Sequence, residues 1–266
     1  MLPAPQIAFL SLSRARTPSM HSAINQWHQL DHRPENLALQ GLAWGERFVL
    51  TPTSAAQAVR REEFSDFHYA TFYWFDEPHV DSIGTWAELA EQSFREGRRP
   101  DVSLVDRAYM DFFRLVGTAT SPDIRLSERA LVHRPGTGML MLATSVPTAQ
   151  AREELHRRFA WELEELLPAL AGIPGVAGAW CLQNDTSLAP SSWAAREAAQ
   201  GTGGDRIVRL VMVRTEIEPP TVVLDRLRSD EYAAALQPPV TLPGRIDFHG
   251  SLETILPWQW DWFDTI

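Results

Sequence analysis

Two histidines four residues apart, with an aspartate between them, are the residues in this chain whose types and spacing most readily do chemistry. They lie in the stretch Trp27-His28-Gln29-Leu30-Asp31-His32-Arg33-Pro34-Glu35. On a helix, His28 and His32 project from one face with Asp31 beside them. Imidazole titrates near neutral pH, so it can serve as an acid or a base. Pro34 has no N–H to donate and clashes with the carbonyl four residues back, so the helix is expected to end or kink just after His32. A histidine in a last turn sits at the negative end of the helix dipole, and Asp31 and Glu35 push the same way, towards its protonated form. His32 is therefore the expected general acid, or donor to a substrate oxygen, with His28 and Asp31 as catalytic partners. The bland alternative is a surface His32 that caps the kink through Asp31 or Glu35. An i,i+4 histidine pair can also begin a zinc site, but no second close His/Glu pair follows, so no metal is expected.

Other candidates are aromatic. Tyr69 and Tyr73 lie four apart on a strand-like run and face the same side, where they could line a cavity between two sheets or simply fill the core. With Trp27 and Trp44 they form the expected substrate-binding set, since aromatic walls suit a flat apolar ligand. His68 opens the same run. His249, near the end of the chain, could face a second cavity, and His156 beside Arg152, Arg157 and Arg158 reads as a surface residue. The C-terminal Trp258, Trp260 and Trp262 alternate with polar residues, so a strand would place all three on one face as a brace or a lid.

The elements that must position these residues repeat. Apolar strand-like runs and amphipathic helical runs follow one another as β-α-β-β-α-β: strands near 6–13, 41–50, 68–75 and 110–117, helices near 20–39 and 80–96. The second half has the same order, with strands near 138–146, 175–182, 206–215 and 244–252 and helices near 151–171 and 221–236. A shift of 134 residues superposes Trp27 on Trp161, Pro34 on Pro168, Gly41 on Gly175 and Ala43 on Ala177, and Asp31 meets Glu165. At the same shift His28 becomes Glu162 and His32 becomes Leu166, so the fold does not need the histidines. A βαββαβ unit is the ferredoxin-like arrangement, with two helices on one face of a four-stranded antiparallel sheet. Its other face is bare, so the expected fold is α+β, with two such repeats packing their sheets face to face. The first repeat is assigned to residues 1–120 and the second to 121–266, with loops at 97–103 and 184–205 and a polar linker at 121–138.

Composition narrows the functions. The 266 residues carry a net charge of −10, which offers nothing to nucleic acid or to an anionic membrane surface. All 24 cationic residues are arginine, which excludes lysine Schiff-base chemistry and the P-loop. A single cysteine, Cys181, excludes an intrachain disulfide and a cysteine-built metal centre. No apolar run spans a bilayer and no signal peptide opens the chain, so a cytoplasmic protein is the default expectation.

The stretch from Trp27 to Glu35, followed by Gly41 and a strand containing Arg47-Phe48, resembles the EthD-like branch of the dimeric α+β barrel superfamily, here duplicated within one chain. That resemblance implies relatives that include polyketide cyclases, dehydratases, decarboxylases, cofactor-free monooxygenases, muconolactone isomerases and haem-handling proteins. The leading expectation is a cofactor-independent enzyme that moves protons on a small aromatic or polyketide-like metabolite by dehydration, decarboxylation, cyclisation or isomerisation. A haem-binding protein and a non-catalytic small-molecule binder are the alternatives. Typical members build the barrel from two chains, so this one is expected to be a monomer or a homodimer.

Overall fold

The computed structural model describes residues 4–98, 105–149, 152–190, 206–229, 232, 237–238 and 242–263. The later parts of the 97–103 and 184–205 loops, and the end of the 221–236 helix, lie outside these residues. The strands are β1 (Ile7–Ala15), β2 (Leu42–Val49), β3 (Val59–Arg60), β4 (Tyr69–Phe75), β5 (Val105–Thr120), β6 (Gly138–Pro147), β7 (Val176–Asn184), β8 (Arg206–Thr215) and β9 (Arg245–Thr254). They form one antiparallel sheet in the order β2-β4-β1-β5-β7-β8-β6-β9-β3, and a β2–β9 pairing closes it into a barrel. The first four long strands, β5-β1-β4-β2, have the ferredoxin-like order, and β9-β6-β8-β7 repeats it.

Strand alternation sorts side chains between the barrel interior and the helices outside. Ala8, Leu10 and Leu12 of β1 and Ala70, Phe72 and Trp74 of β4 join Met139, Met141, Trp180, Leu210 and Met212 from the second repeat in one interior core. The odd positions, Ile7, Phe9, Tyr73 and Phe75, turn outward and pack under the first repeat's helices with Ile83 and Trp86. Both faces are apolar because both are covered. For that reason the sequence alone does not say which way Tyr69 and Tyr73 point. They face the helices, not the space between sheets.

The helices over the first sheet are α1 (Met20–Trp27), α2 (Arg33–Leu37) and, after a short α3 (Pro52–Gln57), α4 (His79–Arg95). The second repeat has α6 (Arg152–Trp161), α7 (Leu167–Ala171) and α8 (Pro220–Leu227). The expected break after His32 is replaced by a π-helical turn, His28–His32, in which the Arg33 N–H bonds back to the His28 carbonyl. One extra residue in the turn lets Pro34 enter the next helix without its missing bond breaking the rod. The second repeat makes the same turn at Glu162–Leu166, where the Leu167 N–H bonds to Glu162, ahead of Pro168. His32 is thus mid-helix, and the dipole argument for its charge does not hold. Gly41 and Gly175, at φ of 92° and 88°, open the following strands in equivalent turns. A Cβ on Gly41 would also fall 2.1 Å from the Ser82 hydroxyl.

Two expectations change. The 121–138 linker contains α5 (Glu128–His133), whose Leu131 and Val132 join the barrel core. The C-terminal tail is not a strand: Pro257 cannot donate to a ladder, and the β2–β9 seam stops after two residue pairs, whereas the equivalent β5–β7 seam has seven. Trp258 turns at φ 65° and is 69% exposed. The chain then brings Phe263 back onto His21, with ring centroids 4.2 Å apart and stacked.

Candidate functional site

Between α1–α2 and the outward face of β2 and β4 lies a polar cluster inside an otherwise apolar layer. Tyr69 and Tyr73, four residues apart on β4, are each met by an asparagine from the helix above. Asn25 Nδ2 donates to the Tyr69 hydroxyl at 2.9 Å, and Asn36 Nδ2 donates to the Tyr73 hydroxyl at 2.9 Å. Each unit includes a histidine. The Tyr69 hydroxyl lies 2.6 Å from His21 Nδ1, and Asn36 Nδ2 lies 3.2 Å from His32 Nε2. The His32 and Asn36 side chains are thus hydrogen-bonded, with the direction set by the tautomer of the ring. Trp27 stacks on His32 at 4.6 Å, which holds the ring in place.

His28 and Arg47 stand between the two units. The His28 ring meets His32 edge-on at 5.0 Å, and its Nδ1 is buried with no hydrogen-bond partner among the described residues. His28, Trp27 and Arg33 are each partly exposed, so this side of the cluster lies nearest the surface. Arg47 projects from β2 and is buried. Its Nη1 donates to Asn25 Oδ1 at 2.9 Å, and its guanidinium carbon lies 4.9 Å from the centre of the Tyr69 ring.

Burial and neighbouring positive charge set the protonation of these groups. Burial, then repulsion from Arg47 and His32, hold His28 well below the usual histidine range. Burial, with a contribution from His68, pushes His21 down to about 4. Burial pushes Tyr73 up to about 12, although the bond from Asn36 and the Arg47 charge oppose it. His21 and His28 are therefore neutral, and Tyr73 protonated, at neutral pH. A histidine that is neutral when folded but charged when unfolded makes stability depend on pH. Its contribution is complete above about pH 6.5, the ordinary histidine value, and is lost as pH falls towards 4. Urea unfolding should show a loss of about 1–3 kcal/mol between pH 7.5 and pH 4.5 attributable to His21. His21→Leu should flatten that part of the fall, and an unchanged pH slope in that variant would contradict the assignment.

The residues expected from sequence divide cleanly. His28, His32, Tyr69, Tyr73 and Trp27 come together. Asp31 does not, because it points to the far side of the helix and pairs with Arg98 at 2.8 Å, in a group shared with Glu35. That ion group ties α2 to the end of α4 and does not reach the cluster. Trp44 lies on the other face of the sheet, where it lines a small interior void with Glu46, Trp74, Trp180 and Arg214. His249, by contrast, lies off the barrel interior, in β9 beside β3, near Arg228. His156 is exposed. Asn25, Asn36 and His21 were missed, and Arg47 was noted only as part of a motif. Their signal was present in the sequence, since His21, Asn25, His28, His32 and Asn36 form one helical stripe.

The second repeat shows the same geometry with other side chains. At the 134-residue shift His21, Asn25, His32 and Asn36 become Leu155, Phe159, Leu166 and Leu170, and Arg47 becomes Cys181. Glu162, in the place of His28, is held by Arg158 at 3.0 Å and by Arg209 at 2.6 Å. The Arg209 guanidinium also contacts the Cys181 sulfur at 2.9 Å. Tyr69 and Tyr73 correspond, by strand register, to Arg209 and Val213. In the second interface two arginines share one carboxylate, and most of the other equivalent positions are apolar.

No protein-family model and no curated protein matches the chain. Solved structures do. A provisionally named monooxygenase of Fusobacterium nucleatum superposes with a TM-score of 0.53 at 8% identity, over 96% of this chain and 94% of that one. A provisionally named chlorite dismutase superposes with a TM-score of 0.50 at 10% identity, over 99% of this chain and all of that one. At these identities the likeness establishes the fold, that of the dimeric α+β barrel proteins, with both halves contained in one chain.

Proposed function

From that fold, carried in tandem, we propose a cofactor-independent enzyme that moves a proton on a small aromatic or polyketide-like carbonyl compound at the helix–sheet cluster of the first repeat. One observation carries this reading. Seven polar side chains, His21, Asn25, His28, His32, Asn36, Tyr69 and Tyr73, meet in the interface of one repeat, whereas the duplicate builds the same interface mainly from leucine, phenylalanine and valine. Burying polar groups costs stability that the fold demonstrably does not require, so function is the reason to keep them.

In this reading His28, neutral and with an unpartnered Nδ1, takes a proton from the carbon or hydroxyl next to a carbonyl. The Tyr73 hydroxyl already accepts from Asn36, so its own proton is available to the developing oxyanion. His32 orients Asn36 and packs against His28. The proton returns from His28 to the product, which leaves no redox step to balance. Isomerisation and aldol-type cyclisation begin with this transfer; in dehydration His28 passes the proton to the departing hydroxyl, and in decarboxylation its protonated form delivers a proton to the enolate left by loss of CO2. The motif from Trp27 to Glu35 and the barrel together support placement in the EthD-like branch. Closure of the barrel within one chain supports a monomer. Among the described residues no helix is long and apolar enough to cross a membrane.

Haem, the alternative cofactor, needs a slot against a sheet face and an axial ligand aimed into it. In the first repeat the gap is bridged directly by the Asn25–Tyr69, Asn36–Tyr73 and Arg47–Asn25 bonds. In the second it is filled by the Glu162 ion pairs and by Leu166, Leu167 and Leu170. These residues do not fit a macrocycle. Hemin added to the purified protein should give no stoichiometric shift of the Soret band, and a saturable 1:1 shift would overturn the cofactor-independent reading.

The proposed activity is tested with a panel of enolisable aryl ketones and 1,3-diketones in D2O, with loss of the exchangeable C–H signal followed by NMR. The protein should accelerate exchange for at least one member. Exchange no faster than in buffer across the panel, together with saturable binding, would point instead to a non-catalytic binder.

A further inference from the structure

We infer that the first-repeat site takes an anionic ligand, an aryl carboxylate or its vinylogue, whose charged oxygens dock against Arg47. The inference rests on placing the site in the first repeat and adds the charge of what binds there. Arg47 is 2% exposed, and its Nε has no hydrogen-bond partner among the described residues. Its partners are neutral: Asn25 Oδ1 and the face of Tyr69. The charged or titratable groups that bear on it are Tyr69, Tyr73, Arg33 and His28, none of them an acid that is ionised at neutral pH.

The other buried arginines supply the control. Arg158 and Arg209 share Glu162, and Arg214 pairs with Glu46 inside the barrel at 2.5 Å. Each has a carboxylate within reach, as a buried cation needs. No carboxylate pairs with Arg47 among the described residues. The duplication shows what is missing. The helix position that presents Glu162 to an arginine in the second repeat presents His28 to Arg47 in the first. The second repeat carries its own anion; the first has a base in that place and carries a cation, Arg47, at the strand position that is Cys181 in the second. A bound carboxylate completes the ion pair, accepts from the unpartnered Nε, and leaves the aryl group against Tyr69 and Trp27. Its negative charge also offsets the Arg47 repulsion that adds to burial in keeping His28 deprotonated, so docking raises the basicity of the group proposed to take the proton.

The probes are benzoate and its neutral isostere benzamide, with 4-nitrophenolate as a phenolate of similar size, followed by thermal shift and titration calorimetry. Benzoate should bind saturably to the wild-type protein and raise its Tm, with benzamide at least tenfold weaker. Stronger binding of 4-nitrophenolate than of benzoate would shift the assignment from carboxylate to phenolate and so overturn the carboxylate form. Arg47→Met should lose tenfold or more in benzoate affinity while its ligand-free Tm stays at or above that of the wild type, because it removes an uncompensated buried charge. Arg47→Gln, which keeps donors but not charge, provides the same comparison if the methionine variant fails to fold. Equal binding of benzoate and benzamide, no binding of either, or benzoate affinity retained in both variants would overturn the proposal. His28→Asn separates this inference from the proposed activity, because it should abolish proton exchange while benzoate still binds.

Discussion

A His28→Asn protein is expected to fold like the wild type and to lose roughly 10²–10⁴ of its proton-exchange rate, the usual worth of a positioned acid–base group. Folding should survive because the equivalent position already holds a glutamate in the second repeat, in an identical π-helical turn. The loss should fall on kcat, since asparagine fills similar space beside Arg47 but cannot accept the proton. His32→Asn is expected to follow with a smaller effect, because His32 works through Asn36 and Tyr73. Its effect should appear partly in KM as Tyr73 loses its fixed orientation. Both variants are read by single-turnover exchange in D2O, with far-ultraviolet circular dichroism and urea midpoints confirming the fold. A well-folded His28→Asn protein with normal exchange would remove the base from the account.

Much of this was legible in the sequence. The 134-residue shift located the duplication through Trp27, Pro34 and Gly41, residues the fold needs at a helix, a π turn and a left-handed turn. The pairing of His28 with His32 followed from spacing alone. The choice of His32 over His28 did not carry over, because it rested on a helix end at Pro34. An inserted π turn keeps the rod continuous, and no residue type announces one. Asp31 was drawn in by proximity in sequence, yet the widened turn leaves it on the far side with Arg98. Tyr69 and Tyr73 do share a side and are core residues, but that side meets the helices and not a space between sheets, which a strand apolar on both faces does not reveal. The asparagines were passed over because they do not titrate. Comparing the whole stripe from His21 to Asn36 with Leu155 to Leu170 would have found them.

The second large effect belongs to the second repeat. Glu162→Gln should destabilise the protein by about 3–5 kcal/mol, because it strands two buried guanidinium groups that share one carboxylate. For a chain of this size that is a fall of roughly 10 °C in Tm. Replacing the pair together, as Glu162→Leu with Arg209→Leu, should recover most of the loss, since a well-packed apolar substitute for a buried ion pair is often neutral or better. Neither change should alter proton exchange at the first-repeat site. A Glu162→Gln protein within about 1 kcal/mol of wild type would show that this ion group is not what balances the second interface.

The central claim is that ligand binding and proton transfer belong to the helix–sheet cluster of the first repeat. The most direct test is histidine C2–H NMR on the wild-type protein during a benzoate titration. The eight histidines report from both repeats at once, and His28→Asn and His32→Asn assign the key signals. The account predicts saturable shifts of the His28 and His32 resonances, with His28 moving towards its protonated position as the anion offsets Arg47, while His156 and His249 stay fixed. Saturable shifts at His249 with His28 and His32 unmoved would contradict it.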